Sequence, residues 1–213
     1  MALEINQDRA RIFRVTHIDN VPWILENGLH AKNSPQSDPD FRAIGNQELI
    51  DKRTAREVPV EPGGVLSDYV PFYFTPHSMM LYNIHTGYGE VSQVANKDLV
   101  FCVTSIHVLA EQEKPFAFTD RHAYLRAAQF FNSADDLHNV DWPLLQARNF
   151  QRDPDDPEKT DRYQAEALIY GSLAAEDISG IVCYSQNIKG TLDSMIENAG
   201  LTLQTAARPA WYF

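Results

Sequence analysis

The chain has 213 residues, 44% of them hydrophobic, and a formal charge of −11. That size is enough to bury one good core, so a single domain over 1–213 is expected rather than two small ones. The acidic balance argues against non-specific duplex binding, which needs many lysine and arginine contacts to phosphate, and no apolar run nears the roughly 18 residues of a membrane span.

The first residues, Met1 to Asp8, lack the basic then apolar pattern of a signal peptide, so a cytoplasmic protein is expected. Phe13-Arg14-Val15-Thr16-His17-Ile18 reads as the first strand and carries a histidine in an apolar run. A short helix over Pro22 to Leu29 follows, with Asp19 or Asn20 to cap it and Gly28 to stop it. Asn33 to Asp40 is a loop, and Ile44 to Arg56 is a charged helix candidate. Pro59, Pro62, Gly63 and Gly64 break the chain before a strand at Tyr69 to Thr75.

Leu99 to Thr104 is rich in β-formers and reads as a central strand, and Arg121 to Phe131 has small and aromatic residues at helical spacing. Asn149 to Tyr163 is polar and reads as a mobile loop feeding Arg162-Tyr163-Gln164-Ala165-Glu166-Ala167-Leu168-Ile169-Tyr170, a run otherwise fit for a buried strand. A carboxylate in such a place must find partners or have a job. Gly180 to Tyr184 is a penultimate strand and Thr191 to Ala199 a helix, so mixed strands and helices indicate an α+β fold. Cys102 and Cys183 lie in apolar strand-like runs, where reduced core thiols are expected. With no CxxC or HExxH spacing, no metal is expected.

Order and spacing together carry a resemblance: Thr16-His17 and Trp23 to Leu29, Ile50-Asp51-Lys52-Arg53, Val70 to Met80, Thr119-Asp120-Arg121-His122-Ala123 and Gln164-Ala165-Glu166. The chain resembles the ADP-ribosyltransferase superfamily and, within it, the DarT family of toxins that ADP-ribosylate DNA bases. The resemblance implies a central split mixed β-sheet flanked by helices, NAD as co-substrate, single-stranded DNA as acceptor and a macrodomain-type antitoxin resembling DarG as partner.

It also implies roles. Glu166 and Arg53 are catalytic, with Arg53 serving the NAD phosphates or a base that has lost its ring proton. Thr16, His17, Gly28, Leu29 and Tyr73 bind NAD, Tyr73 by stacking on nicotinamide, and Tyr82 admits either a stacking or a packing role. His122, Arg121 and Arg148 face DNA. On local sequence alone a strand glutamate can equally face water, a lone strand histidine is more often a core residue bonded to a carbonyl, and a basic cluster is usually a solvated helix face. Positive residues gather in Arg42, Lys52, Arg53 and Arg56, and in Arg121, Arg126, Arg148, Arg152 and Arg162. The family's arginine-specific relatives carry Glu-x-Glu, whereas Gln164 stands two before Glu166 here, which argues against an arginine acceptor and leaves thymine and guanine both open.

Overall fold

The computed structural model describes residues 3–213. Its first strand, β1 (Arg11–His17), is covered on both faces, with Ile12, Phe13, Val15, Thr16 and His17 all buried. His17 ends it by accepting a bond from the Asp19 amide through Nδ1, and a single turn then leads into α1 (Val21–Asn27). Pro22 opens α1, and Gly28, at φ 84°, closes it. The side chain of Asn20 does not cap this helix and reaches Thr16 and Arg42 instead. Next come β2 (Leu29–His30), α2 (Gln47–Arg53), β3 (Tyr69–Tyr73), α3 (Met79–Thr86), β4 (Leu99–Ser105), α4 (Ile106–Glu111), β5 (Phe116–Thr119) and β6 (Phe130–Phe131). The rest is α5 (Trp142–Ala147), α6 (Lys159–Arg162), β7 (Glu166–Tyr170), β8 (Ser172–Leu173), β9 (Gly180–Cys183), α7 (Gln186–Asn198) and β10 (Gln204–Ala207).

Among the described residues eight strands form one mixed sheet in the order β10-β9-β4-β1-β3-β7-β5-β6, with β9 and β10 parallel and the other neighbours antiparallel. β1 lies against β4 along its whole length, Arg11 to His17 opposite Ser105 to Leu99, but meets β3 at one pair, Phe13 opposite Tyr73. The sheet therefore splits between β1 and β3. Each half is apolar enough to hold itself: Phe101, Cys102 and Ile181 fill one, Phe72, Phe118 and Leu168 the other, all essentially buried. A split costs unpaired backbone groups, and in return it opens a cleft at the sheet's centre.

Four expectations need correction. The helix expected over Ile44 to Arg56 shrinks to α2, because Asn46 caps the Leu49 amide and starts it late. The helix expected over Arg121 to Phe131 does not form. Its amides are taken by groups outside the segment: His122 N–H donates to the Asp161 carbonyl, Ala123 N–H to Glu166, and Gln129 N–H to the Asp120 carboxylate. Third, the 149–163 segment is tied down, since Arg162 grips Asp156 with two bonds (3.0 and 2.7 Å) and Asp141 with a third. Last, the helix expected from Thr191 begins at Gln186, where Ser185 caps it. Both cysteines are free and buried, as their apolar surroundings led one to expect.

Candidate active site

A cavity of about 430 Å³ opens at the split, within the range of roughly 300–1,000 Å³ usual for small-molecule sites. Arg14 and Val15 of β1 and Pro71 and Tyr73 of β3 line its floor. The turn after α1, at Gly28 and Leu29, makes one wall, and Met79, Met80 and Asn83 of α3 make another. Leu49, Ile50 and Arg53 of α2 close over it, although no residue of α2 is fully buried. At one end stand His122, Gln164 and Glu166.

Glu166 begins β7 opposite Tyr73 and is 1% exposed. Arg53 meets it fork to fork, with Nη1 donating to Oε1 at 2.8 Å and Nη2 to Oε2 at 2.7 Å, and the Ala123 amide donates to Oε1 at 2.9 Å. Thr119 fixes the backbone by accepting the Glu166 amide. Burial alone would raise the carboxyl above its usual range. The charge of Arg53, with the bonds from Arg53 and Ala123, outweighs it and holds the carboxyl below. Glu166 is thus an ionised carboxylate sealed from water, and Oε2, bonded only to Arg53, keeps a lone pair for an incoming hydroxyl.

His122 lies 3.4 Å from Oε1 through Nδ1, but the Tyr124 amide donates to that same nitrogen. Burial lowers its pKa further than the nearby carboxylate raises it, so the ring is neutral at pH 7 with its proton on Nε2. The contact with Glu166 is therefore not an ion pair at neutral pH. Burial also pushes the Tyr73 hydroxyl well above its ordinary pKa, with Glu166 adding to the effect, so Tyr73 stays a neutral phenol beside the carboxylate.

Of the residues singled out from sequence, Glu166, Arg53, Tyr73, His122, Gly28 and Leu29 line one cavity. Thr16 and His17 lie behind its wall: Thr16 accepts from Asn20, whose amide group also binds both backbone polar groups of Arg42, and His17 caps the turn at Asp19. They fasten the 31–46 segment that roofs the cavity. Arg121 is held by Asp120 and Glu158, Arg162 by Asp156 and Asp141, and Arg42 by Asp19, so most of the two basic clusters is already paired. Arg148 is exposed in the left-handed backbone region at the end of α5. Tyr82 points away from the cavity and packs on Phe150 and Phe213. Sequence reasoning passed over Arg14, although a charge inside Phe13-Arg14-Val15 carried the same signal as Glu166 in its own run.

A dry carboxylate that stays ionised can stabilise positive charge growing on a sugar, which suits the site to an enzyme that transfers a glycosyl group. The family model for DarT, described as ssDNA thymidine ADP-ribosyltransferase, matches residues 13–213. A DNA ADP-ribosyl transferase of Escherichia coli O127:H6 (strain E2348/69 / EPEC) is 46% identical over 209 residues, 98% of this chain and 96% of that protein. Thermus sp. 2.9 DarT in complex with ADP-ribosylated ssDNA has a TM-score of 0.89, 34% identity and full coverage of both chains. The same Thermus protein in complex with NAD+ gives 0.85, with 97% of this chain and 98% of that one covered. A Thermosipho africanus DNA ADP-ribosyl transferase-DNA ADP-ribosyl glycohydrolase fusion protein is 23% identical over 192 residues, which span 89% of this chain and 46% of the fusion. The chain belongs to the DarT family and, with it, is an NAD-dependent DNA ADP-ribosyltransferase.

Proposed function

We propose that the protein transfers ADP-ribose from NAD to thymine in single-stranded DNA, releasing nicotinamide, and acts as the toxin of a toxin–antitoxin pair. The observation that carries the chemistry is the sealed, ionised Glu166 at the end of the cavity. As the bond from C1′ of the ribose to nicotinamide breaks, its electron pair leaves with nicotinamide and the ribose becomes positive. Oε2 of Glu166 accepts a bond from a ribose hydroxyl, and that bond strengthens as the charge grows. Tyr73 offers a flat face to nicotinamide, and Gly28 and Leu29 form the wall against which it rests.

Thymine has one ring N–H, at N3, and that nitrogen forms the new bond to C1′ while its proton passes to the Glu166 carboxylate. Arg53 stabilises the base as it loses the proton. Support for thymine over guanine comes from the thymidine named in the family description. His122, at the end of the cavity, and Arg121 beside it in the chain serve the DNA, together with the exposed Arg148. Arg148 influences both His77 and Tyr163, beside an aromatic group of Tyr82, Phe150 and Phe213 on which neighbouring bases can stack. That local combination of charge and stacking offsets the overall charge of −11.

A partner that removes the mark, of the macrodomain type, fits the toxin reading, and the Thermosipho fusion joins a transferase with a glycohydrolase in one chain. Residues 1–213 act as a single domain. No helix among the described residues is long and apolar enough to cross a membrane, in keeping with a cytoplasmic enzyme that meets DNA. The test is a mass spectrum of four short DNA oligonucleotides, each with one kind of target base, and of one short RNA, after incubation with enzyme and NAD. One ADP-ribose on the thymine-containing strand is expected. Equal labelling of guanine, or of RNA, overturns the assignment of the acceptor.

A further inference from the structure

Arg121 follows the end of β5 and stands one residue before His122, which lines the cavity beside Glu166. The His122 amide donates to the Asp161 carbonyl at 3.0 Å, so this turn lies against α6. Two carboxylates hold the Arg121 guanidinium. Its Nε donates to Oδ2 of Asp120 at 3.0 Å, and its Nη1 donates to Oε2 of Glu158 at 3.2 Å.

The two holds differ in kind. The Asp120 side chain is 12% exposed and its other oxygen accepts the Gln129 amide at 2.9 Å, so it is fixed in place. The Glu158 side chain is 61% exposed, and among the described residues its carboxylate bonds to Arg121 alone. Its backbone carbonyl, not its carboxylate, receives the Asp161 and Arg162 amides at the start of α6. Nothing else in the fold therefore needs the Glu158 charge. An ion pair with so exposed a partner is weak and readily exchanged.

Arginine binds a phosphate best with two nitrogens in parallel. On Arg121 the Nε side belongs to Asp120, and Glu158 occupies Nη1, one of the two nitrogens of the remaining edge. A phosphate that takes the Nη1–Nη2 edge has to move Glu158 aside.

We infer that Glu158 is a built-in competitor for a DNA phosphate at Arg121: it covers the guanidinium in the free enzyme, gives way when a single strand arrives, and so lowers the affinity for DNA. The inference rests on the reading of single-stranded DNA as the acceptor and of Arg121 as one of its contacts. Removal of this one carboxylate should tighten binding, which loss of a merely structural residue would not do.

The experiment is a fluorescence-anisotropy titration of a labelled thymine-containing single strand, without NAD so that no transfer occurs. The proteins are wild type, Glu158→Gln, Arg121→Gln, the double variant, and Glu197→Gln. Glu197 is exposed on α7, which packs on β9 and β10 at the opposite edge of the sheet, and controls for loss of one negative charge. Glu158→Gln should bind DNA about threefold more tightly, the scale of an exposed ion pair. Arg121→Gln should bind about fivefold more weakly, and the double variant should match it, because without the guanidinium there is nothing to uncover. Unchanged or weaker binding by Glu158→Gln overturns the inference. So does an equal gain in Glu197→Gln or in the Arg121→Gln background, either of which makes the effect one of bulk charge, and so does unaltered binding by Arg121→Gln. If Arg121→Gln does not fold, the comparison of Glu158→Gln with Glu197→Gln decides alone. Failure of wild type to bind any single strand instead removes the DNA reading, and the inference with it.

Discussion

Glu166→Gln keeps the shape of the side chain and removes its charge. The amide oxygen can still accept the Ala123 N–H, but its NH2 now faces a guanidinium that is only 13% exposed. Two bonds between charged groups, at 2.8 and 2.7 Å, are lost or reduced to one weaker bond to an uncharged amide. With such bonds worth about 1.5–3 kcal/mol each and a neutral one about 1 kcal/mol, a loss of about 3 kcal/mol in stability is expected. Urea denaturation reads it. Turnover, measured as nicotinamide released in the presence of a thymine oligonucleotide, should fall a hundredfold or more. The two losses separate in Arg53→Met/Glu166→Gln, which removes both charges at once: it should recover much of the stability and none of the activity. Near-normal turnover in Glu166→Gln refutes the catalytic role. A double variant no more stable than the single one refutes the energetic account of the pair.

Arg53→Ala leaves the burial of Glu166 unopposed by its main cation, so the carboxyl's pKa should rise and the acid limb of the rate profile should move to higher pH; an unmoved limb would show that Arg53 does not set the ionisation. In the wild type the Glu166 pKa is depressed, so its contribution to stability is complete above the ordinary carboxylate range and disappears as pH falls through the lower folded value. His122 is depressed as well and costs stability as pH drops below about 6.5, where the unfolded chain takes a proton that the folded one refuses; His122→Gln should flatten that part of a melting-temperature profile. Gly28→Ala places a Cβ 2.5 Å from the Leu173 carbonyl at a positive φ, and should cost more than about 1 kcal/mol and loosen the nicotinamide wall, seen as a raised KM for NAD. Base pairing hides N3 of thymine, so a duplex should be labelled far more slowly than its separate strands, and equal rates would count against the acceptor atom.

The elements that the chain's pattern alone decided are those whose residues bury one continuous apolar run. β1, β3, β4, β7 and β9 were legible because Val, Ile, Phe and Leu in short runs have no other way to satisfy both backbone and side chains. Glu166 was legible for the converse reason, since a carboxylate within such a run has to be satisfied by something distant. What satisfies it was not. Arg53 lies 113 positions away, and only the approach of α2 to the end of β7 brings the two forks together. The segment from Arg121 to Phe131 has the composition of a helix, yet Glu166, Asp120 and Asp161 take its amides one by one, an outcome fixed by long-range partners rather than local propensity. Thr16 and His17 likewise stand out in the sequence, whereas their bonds to Asn20 and the Asp19 amide became visible only in the folded chain. Arg14 shows the limit most plainly: its place in β1 is written in the sequence, whereas the bond from its Nη1 to the Pro71 carbonyl depends on how β3 comes to lie beside it.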